Sequence, residues 1–357
     1  MPGTSRTARR LRCRLEPICN GPALTEGDTV ITRVTGATPS EWDSHWQAAP
    51  HATFFESRQW AQVWASYAPN TSSNAWLVEF SDGTTIVIPF VTESRLGGRV
   101  RLSRMSPADT YGGWLAPRDL GDLCASLVRR LIERELGNIR WVVNPFLLAS
   151  TGESLLPDAT SHTLALDLSH GFDACRRRWS KGHRSAATKA AREGVTVRQA
   201  ASQDDWRAYF EIYSESLKRW GRRASSRYHW PLFEALSRLD PTLVRLWVAM
   251  VDDQMAAGAL CLYHPNQVAY WHGAALERHF PLRPTNLLMQ AAIQDACLTG
   301  AKWFDLGPSG GHQGVERFKV GFSPTSLGFG VIDRSTAMVA SIRAVRRVVR
   351  GGVRRLT

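Results

Sequence analysis

From about His162 the chain runs a second time through an order of patterned segments that it has already completed once, and this recurrence limits what its 357 residues can build. In the first pass PSEWDSHWQAAP and SRQWAQVWASY read as helices opened by capping serines, with Trp60 and Trp64 four positions apart on one face. Strands are expected over 74–80, over 84–92 after the turn Ser81-Asp82-Gly83, and over 100–105. An amphipathic helix over 119–136, ended by Gly137, leads to a closing strand over 139–143. The second pass offers a strand over 163–168, one strongly basic helix over 172–192 and a short strand over 195–198. Helices over 204–220 and 230–239, a meander over 244–251, 255–263 and 268–274, a helix over 284–299 and a strand over 302–306 follow.

The expected class is therefore α/β: two units meeting near residue 160, each with its own mixed, mostly antiparallel sheet flanked by helices. The expected boundaries are a basic N-terminal arm over 1–30, a first unit over 31–160, a second over 161–334 and a basic amphipathic C-terminal helix over 335–357.

Several functional classes drop out on composition. The six cysteines show neither CxxC nor close pairing with histidine, and the ten histidines show no HxxH or HExxH spacing, so no metal site is expected. Ser57 lacks a nucleophile-elbow context, which removes a serine hydrolase. No apolar run reaches the roughly 18 to 20 residues of a membrane span, and the basic N-terminus lacks a following apolar stretch. A monomer in a reducing cytoplasm is the expectation.

The net charge of +12 is uneven: residues 1–15 carry +5, 170–230 carry +8 and 334–357 carry +7, leaving the remainder at −8. Only 5 of the 44 basic residues are lysines, a skew that a GC-rich genome explains, but the clustering is not explained that way. Clustered cations on a mildly acidic body point to a polyanionic partner: RNA, an anionic membrane face or a pyrophosphate. Arg176, Arg177, Arg178, Lys181, Arg184, Lys189 and Arg192 crowd the basic helix, which reads either as a phosphate-contacting or as a solvated surface. Lys218, Arg219, Arg222, Arg223 and Arg227 with Tyr228 form a second cluster suited to an anionic group on a substrate. The C-terminal stretch sets Val339, Ile342, Val345, Val348 and Val349 among arginines, a pattern for the inner membrane surface, for RNA, or for docking on the last unit.

The order of motifs resembles the FemABX-like transferases, built from tandem GNAT-type acyltransferase domains. TFFESRQWAQVWASY is similar to that family's entry motif, DTYGGWLAP to its Tyr-Gly-Gly turn, RRRWSKGHRSAATKAAREGVTVR to the start of its second domain, and AKWFDLGPSGGHQGVERFKVGF to its closing strand, Gly-rich loop and Phe-Lys motif. The resemblance runs over about 54–329 and implies a tandem GNAT-like fold, here without the coiled-coil arm of some members. It also implies transfer of an aminoacyl group from aminoacyl-tRNA, as co-substrate and with no bound cofactor, to the amine of a peptidoglycan precursor or peptide-like product. On that basis Phe318 and Lys319 would lie at the reacting ester, Tyr111 and the second basic cluster would face the acceptor, and the 176–192 cations would hold tRNA.

Ester aminolysis needs a neutral amine, a positioned carbonyl and a partner for the developing oxyanion. Lys319 fits the last role and Phe318 a stacking one, whereas without the resemblance Phe318 reads as core and Lys319 as solvated. Asp109 reads as a base or amine-orienting group, or as a turn cap. The loop Gly307-Pro308-Ser309-Gly310-Gly311 reads as an anion nest or a surface turn, and it lacks a P-loop ending. HFPLRPTNLLMQ lacks the glycines with which GNAT enzymes cradle the pyrophosphate of acyl-CoA, which weakens the alternative of an acyl-CoA-dependent N-acyltransferase. A non-catalytic RNA-binding protein is the alternative of another class.

Overall fold

A computed structural model of the chain describes residues 25–26, 29–147, 157–221, 224, 226–310 and 312–336. The first half opens with β1 (Thr25–Glu26) and β2 (Thr29–Gly36), α1 (Pro39–Ala48) and α2 (Arg58–Tyr67). The meander β3 (Thr71–Phe80), β4 (Thr85–Arg95) and β5 (Val100–Arg104) follows, then α3 (Gly121–Leu136) and β6 (Ile139–Val142). After β7 (Ala159–Asp167) come α4 (Gly171–Arg178), α5 (Lys181–Arg192) and β8 (Thr196–Gln199). The series recurs as α6 (Gln203–Trp220), α7 (Trp230–Ser237), β9 (Val244–Val251), β10 (Gln254–His264), β11 (Gln267–Ala275), α8 (Pro284–Leu298) and β12 (Trp303–Asp305). α9 (Gln313–Val320) and β13 (Thr325–Arg334) close the described chain.

The local starts have local causes. Thr38 and Glu41 form a reciprocal capping box ahead of α1, with Pro39 in its first turn, and Ser202 caps α6 through the Asp205 amide. β10 is buried on both faces from Met255 to His264, as a strand covered on both sides of a sheet must be.

The expectation of two separate sheets is corrected. The strands form one 13-stranded ladder in the order β1-β2-β3-β4-β5-β6-β13-β7-β12-β11-β10-β9-β8. Its cause is an exchange of like-placed strands: β7 follows β6 as β13 follows β12, yet β7 pairs antiparallel with β12 and β13 pairs antiparallel with β6. The two exchanged strands then pair with each other from Thr325↔Ala165 to Val331↔Ala159. Each half keeps a short parallel join that splays beyond it, β5 with β6 at Ser103↔Ile139 and Arg104↔Arg140, and β11 with β12 from Gln267↔Trp303 to Ala269↔Asp305.

Two further expectations change. The basic segment is not one helix: Trp179 and Ser180 take extended ψ values of 150° and 148°, because Trp179 is buried against Phe172 and Phe322 and the Ser180 amide donates to Gly321 O at 2.9 Å. Structure also reaches back into the segment assigned to the arm, since Thr25 and Glu26 pair with Val30 and Thr29 and the Ser81 amide donates to Val30 O. The 337–357 part of the C-terminal helix and the N-terminal residues 1–24 lie outside the described residues. Among the described residues α6, with 18 residues, is the longest helix; it packs on the sheet, and no paired helical arm projects.

One core joins the halves. Trp60 and Trp64 of α2 share a cluster with Tyr209, Tyr213 and Phe233 of α6 and α7, and Trp60 meets Trp271 of β11 edge to face at 5.1 Å between ring centroids.

Candidate active site

In the second half, β11 leaves β12 after Ala269 and the chain beyond β12 turns through Leu306–Gly310, so the ladder is interrupted by a notch in the pairing between Tyr270 and Gly307. Gly307 has φ +73°, a conformation a glycine adopts without strain, and a Cβ placed there would meet only Tyr270 O at 3.8 Å and Lys319 Nζ at 3.9 Å. Lys319, in α9, reaches in from below and is 6% exposed. Its ammonium donates to the carbonyls of Gly307 and Pro308, both at 3.0 Å. Burial pushes its pKa down to about 8, against the opposing field of the Asp305 carboxylate.

Asp305, at the end of β12, is 1% exposed. Its Oδ1 accepts from Thr163 Oγ of β7 at 2.6 Å and from the Gly307 amide at 2.8 Å. Burial raises its pKa while those two donors and Lys319 favour the carboxylate. Tyr111 stands beside this group, 3% exposed, packed on Phe55 and Phe329. Its hydroxyl feels the Asp305 charge but makes no hydrogen bond of good geometry, and burial raises its pKa first and Asp305 second.

Phe318 lies one residue from Lys319 and on the other side of α9. It packs on His183 of α5 at 5.2 Å and on Phe322 at 5.3 Å, while His183 Nε2 donates to the Phe318 carbonyl at 2.8 Å. Burial lowers the His183 pKa. Phe318 forms the wall of a groove of about 930 Å³ between α5 and the start of α8, lined by Arg176, Lys181, Arg184, Lys189, Arg192, Arg283 and Asn286. The helix break sorts the basic residues. Arg177 and Arg178 do not line this groove, and Arg178 donates to Asp167 O. Arg184 donates to Arg177 O at 2.6 Å and Trp179 O at 2.7 Å, so it closes the end of α4 as well as facing the groove.

The second basic cluster is divided as well. Arg219 donates to Ala275 O at 3.2 Å and stacks on Phe280, Arg227 donates to Gly221 O, and Lys218 is exposed. Arg222 and Arg223 lie outside the described residues. Tyr228 leans on Trp64 of the first half and Trp271 of the second, at 5.9 and 5.3 Å. Burial is the main cause that raises the Tyr228 phenol, with Tyr213 and Tyr67 adding to it and Asp109 of the first half adding least. Asp109 is itself paired with Arg104 at 2.9 Å and Arg140 at 2.8 Å, on a turn where Ala108 and Asp109 both have positive φ. The structure thus joins Lys319 to Tyr111 at one place, Lys319 to the α5 cations through Phe318 at another, and Asp109 to Tyr228 at a third.

Sequence reasoning did not single out Asp305, Thr163 or His183. An Asp two residues before a glycine, at the end of a strand, is the one local signal for Asp305; Thr163 is distant in sequence and carries none. Among the described residues no group of His, Cys, Asp or Glu could hold a metal ion, and no helix is long and apolar enough to cross a membrane.

Residues 175–320 match the acetyltransferase (GNAT) domain family. A search of curated protein sequences finds no match. Among solved structures, FemX is similar at 12% identity, with 83% of this chain and 96% of that one covered and a TM-score of 0.64. L-PGS from Bacillus licheniformis is similar at 12% identity, covering 87% of this chain and 97% of that one, with a TM-score of 0.55. The fold is therefore tandem GNAT-like: residues 175–320 match a GNAT acetyltransferase domain, and over most of its length the chain is similar in fold to FemX, with two α/β units sharing one ladder.

Proposed function

We propose that the protein transfers an aminoacyl group from aminoacyl-tRNA to an amine of a peptidoglycan precursor or peptide-like product. The observation that carries this reading is the basic groove that ends at Phe318, one residue from Lys319. Lys181 and Arg192 mark its length along α5, which at about 1.5 Å per residue is roughly 17 Å. That length suits several phosphates of a nucleic-acid strand better than one pyrophosphate. Arg283 caps α8 with φ 58° and Pro284 removes one of the first-turn amides, which weakens the nest a pyrophosphate would use.

In this reading the acceptor amine attacks the ester carbonyl, an N–C bond forms, the C–O bond to the ribose breaks, and the amine proton leaves with the ribose oxygen through water. Lys319 spends two of its three N–H donors on Gly307 and Pro308, which leaves the third for the oxyanion as charge develops. Phe318 stacks on the terminal base, and Asp109, its charge shared with two guanidiniums, orients the amine beside Tyr228.

The test is product analysis by mass after incubation with charged tRNA or acyl-CoA and an amine acceptor at several salt concentrations. Amide formation from charged tRNA, with affinity falling steeply as salt rises, is expected. Amide formation from acyl-CoA alone would replace this reading with an acyl-CoA-dependent N-acyltransferase, which the GNAT domain at 175–320 favours. Salt-sensitive RNA binding without either product would leave an RNA-binding protein.

A further inference from the structure

Lys319 and Asp305 do not touch. Gly307 stands between them, its amide donating to Asp305 Oδ1 at 2.8 Å and its carbonyl accepting from Lys319 Nζ at 3.0 Å. Asp305 is in turn held by Thr163 Oγ at 2.6 Å, from β7, and the Tyr111 hydroxyl closes the same space. A carboxylate 1% exposed is costly to bury unless its hydrogen bonds are filled, and here the filling donors are the loop and β7.

We infer that Asp305, tethered by Thr163, is the positioning residue of the site: it sets the turn at Gly307 whose carbonyls aim the Lys319 ammonium into the notch. The inference rests on the proposed reading only for its effect on turnover; its geometric half stands without it. Groups facing Lys319 from the neighbouring elements are few. Asp305 from β12 is the charge that acts on Lys319, Tyr111 from the segment after β5 faces Asp305, and His183 from α5 meets the adjoining Phe318. Among these Asp305 is the charge that keeps Lys319 protonated, so its removal lowers the pH at which the ammonium is lost.

The chain has only five lysines, so lysine labelled with carbon-13 at Cε gives five resonances and Lys319 can be identified by its loss in Lys319→Met. In Asp305→Asn the Lys319 titration midpoint should fall by about one pH unit or more, kcat/KM should drop ~10- to 100-fold, and the alkaline limb of its pH profile should move down with the midpoint. Thr163→Val keeps the carboxylate and removes one tether. It should lower kcat/KM ~3- to 10-fold with little movement of the limb. Asp305→Glu serves if Asp305→Asn does not fold, and should partly retain the midpoint. An unmoved Lys319 midpoint, or lowered melting temperature with unchanged kcat/KM per folded molecule, would overturn the inference. A shifted midpoint in Asp305→Asn together with normal turnover in Lys319→Met would keep the geometry and reject the proposed function instead.

Discussion

The two halves carry the same splayed strand pair, and they close it with different parts of the chain. In the first half the segment after β5 returns into the gap: the Gly112 amide donates to Val142 O and its carbonyl accepts from the Asn144 amide and the Trp141 indole. Leu115 then exchanges both backbone bonds with Val87, and Trp114 is buried against Trp141. In the second half the chain from β11 runs on past the gap into a short helical turn over Glu277–Leu282 and α8, and the space is bounded by Gly307 and the buried Lys319. The same splay is thus closed by backbone hydrogen bonds in the first half and bordered by a loop and a buried charge in the second.

Removing β13 by truncation after Phe322 gives the largest expected effect on this arrangement. It strips pairing from β6 in the first half and β7 in the second, so circular dichroism should show loss of folded protein in both halves. A first half that still melts cooperatively by itself would show that the exchange is not what couples them.

Lys319→Met acts on the second notch alone. We expect kcat/KM to fall ~100-fold or more, about 2.7 kcal/mol in the barrier, with the fold retained. Near-normal turnover would make the Phe-Lys motif structural. The pH dependence has a definite sign: with its pKa pushed down to about 8 from 10.5, Lys319 loses its proton earlier in the folded chain than in the unfolded one. Activity that needs the ammonium should be flat below about 8 and fall above it. Stability should gain from this group as pH rises from about 8 toward 10.5, where the unfolded chain binds more protons, and this gain should vanish in Lys319→Met.

Two glycine substitutions sharpen the comparison at smaller scale. A Cβ on Gly112 would fall 2.6 to 2.8 Å from Met105 atoms including its backbone, so Gly112→Ala should lower stability by about 1–3 kcal/mol with unchanged kcat/KM per folded molecule. Gly307→Ala meets no clash but holds a positive φ, so it should cost about 1 kcal/mol or so and impair turnover more than its stability loss explains. Thermal melts and kinetics on the pair decide whether plug and site differ as described. The smallest effect is expected from Lys181→Gln or Arg192→Gln, each lowering the slope of log affinity for tRNA against log salt by about 0.7.

Most of the local order was legible because it is written within a few residues. The helices over 39–48, 58–67, 203–220 and 284–298 and the strands of both meanders announce themselves by caps, turn residues and alternation. The TVITRVTG strand was hidden by its place beside the basic N-terminal segment, although its β-branched run is a strand signal, and α9 was hidden behind the Gly-rich loop. The basic helix was misread because its one local sign, Ser180 capping the His183 amide, sits within a continuous basic run; the contacts that hold the break are Phe322 and Gly321, more than 130 residues later.

By itself, then, the sequence determined the recurrence of one α/β order, the concentration of cations at 176–192 and the pairing of a Gly-rich loop with Phe318 and Lys319. Only the tertiary structure decided that β7 pairs with β12 and β13 with β6, that Arg184 turns to carbonyls while lining the same groove as Lys181 and Arg192, and that Lys319 is buried near Asp305. The reason is range. Caps, turns and periodicity act between residues a few positions apart, whereas which strand edge is free to pair, and which charge must be matched in the interior, depend on surfaces assembled from both halves at once.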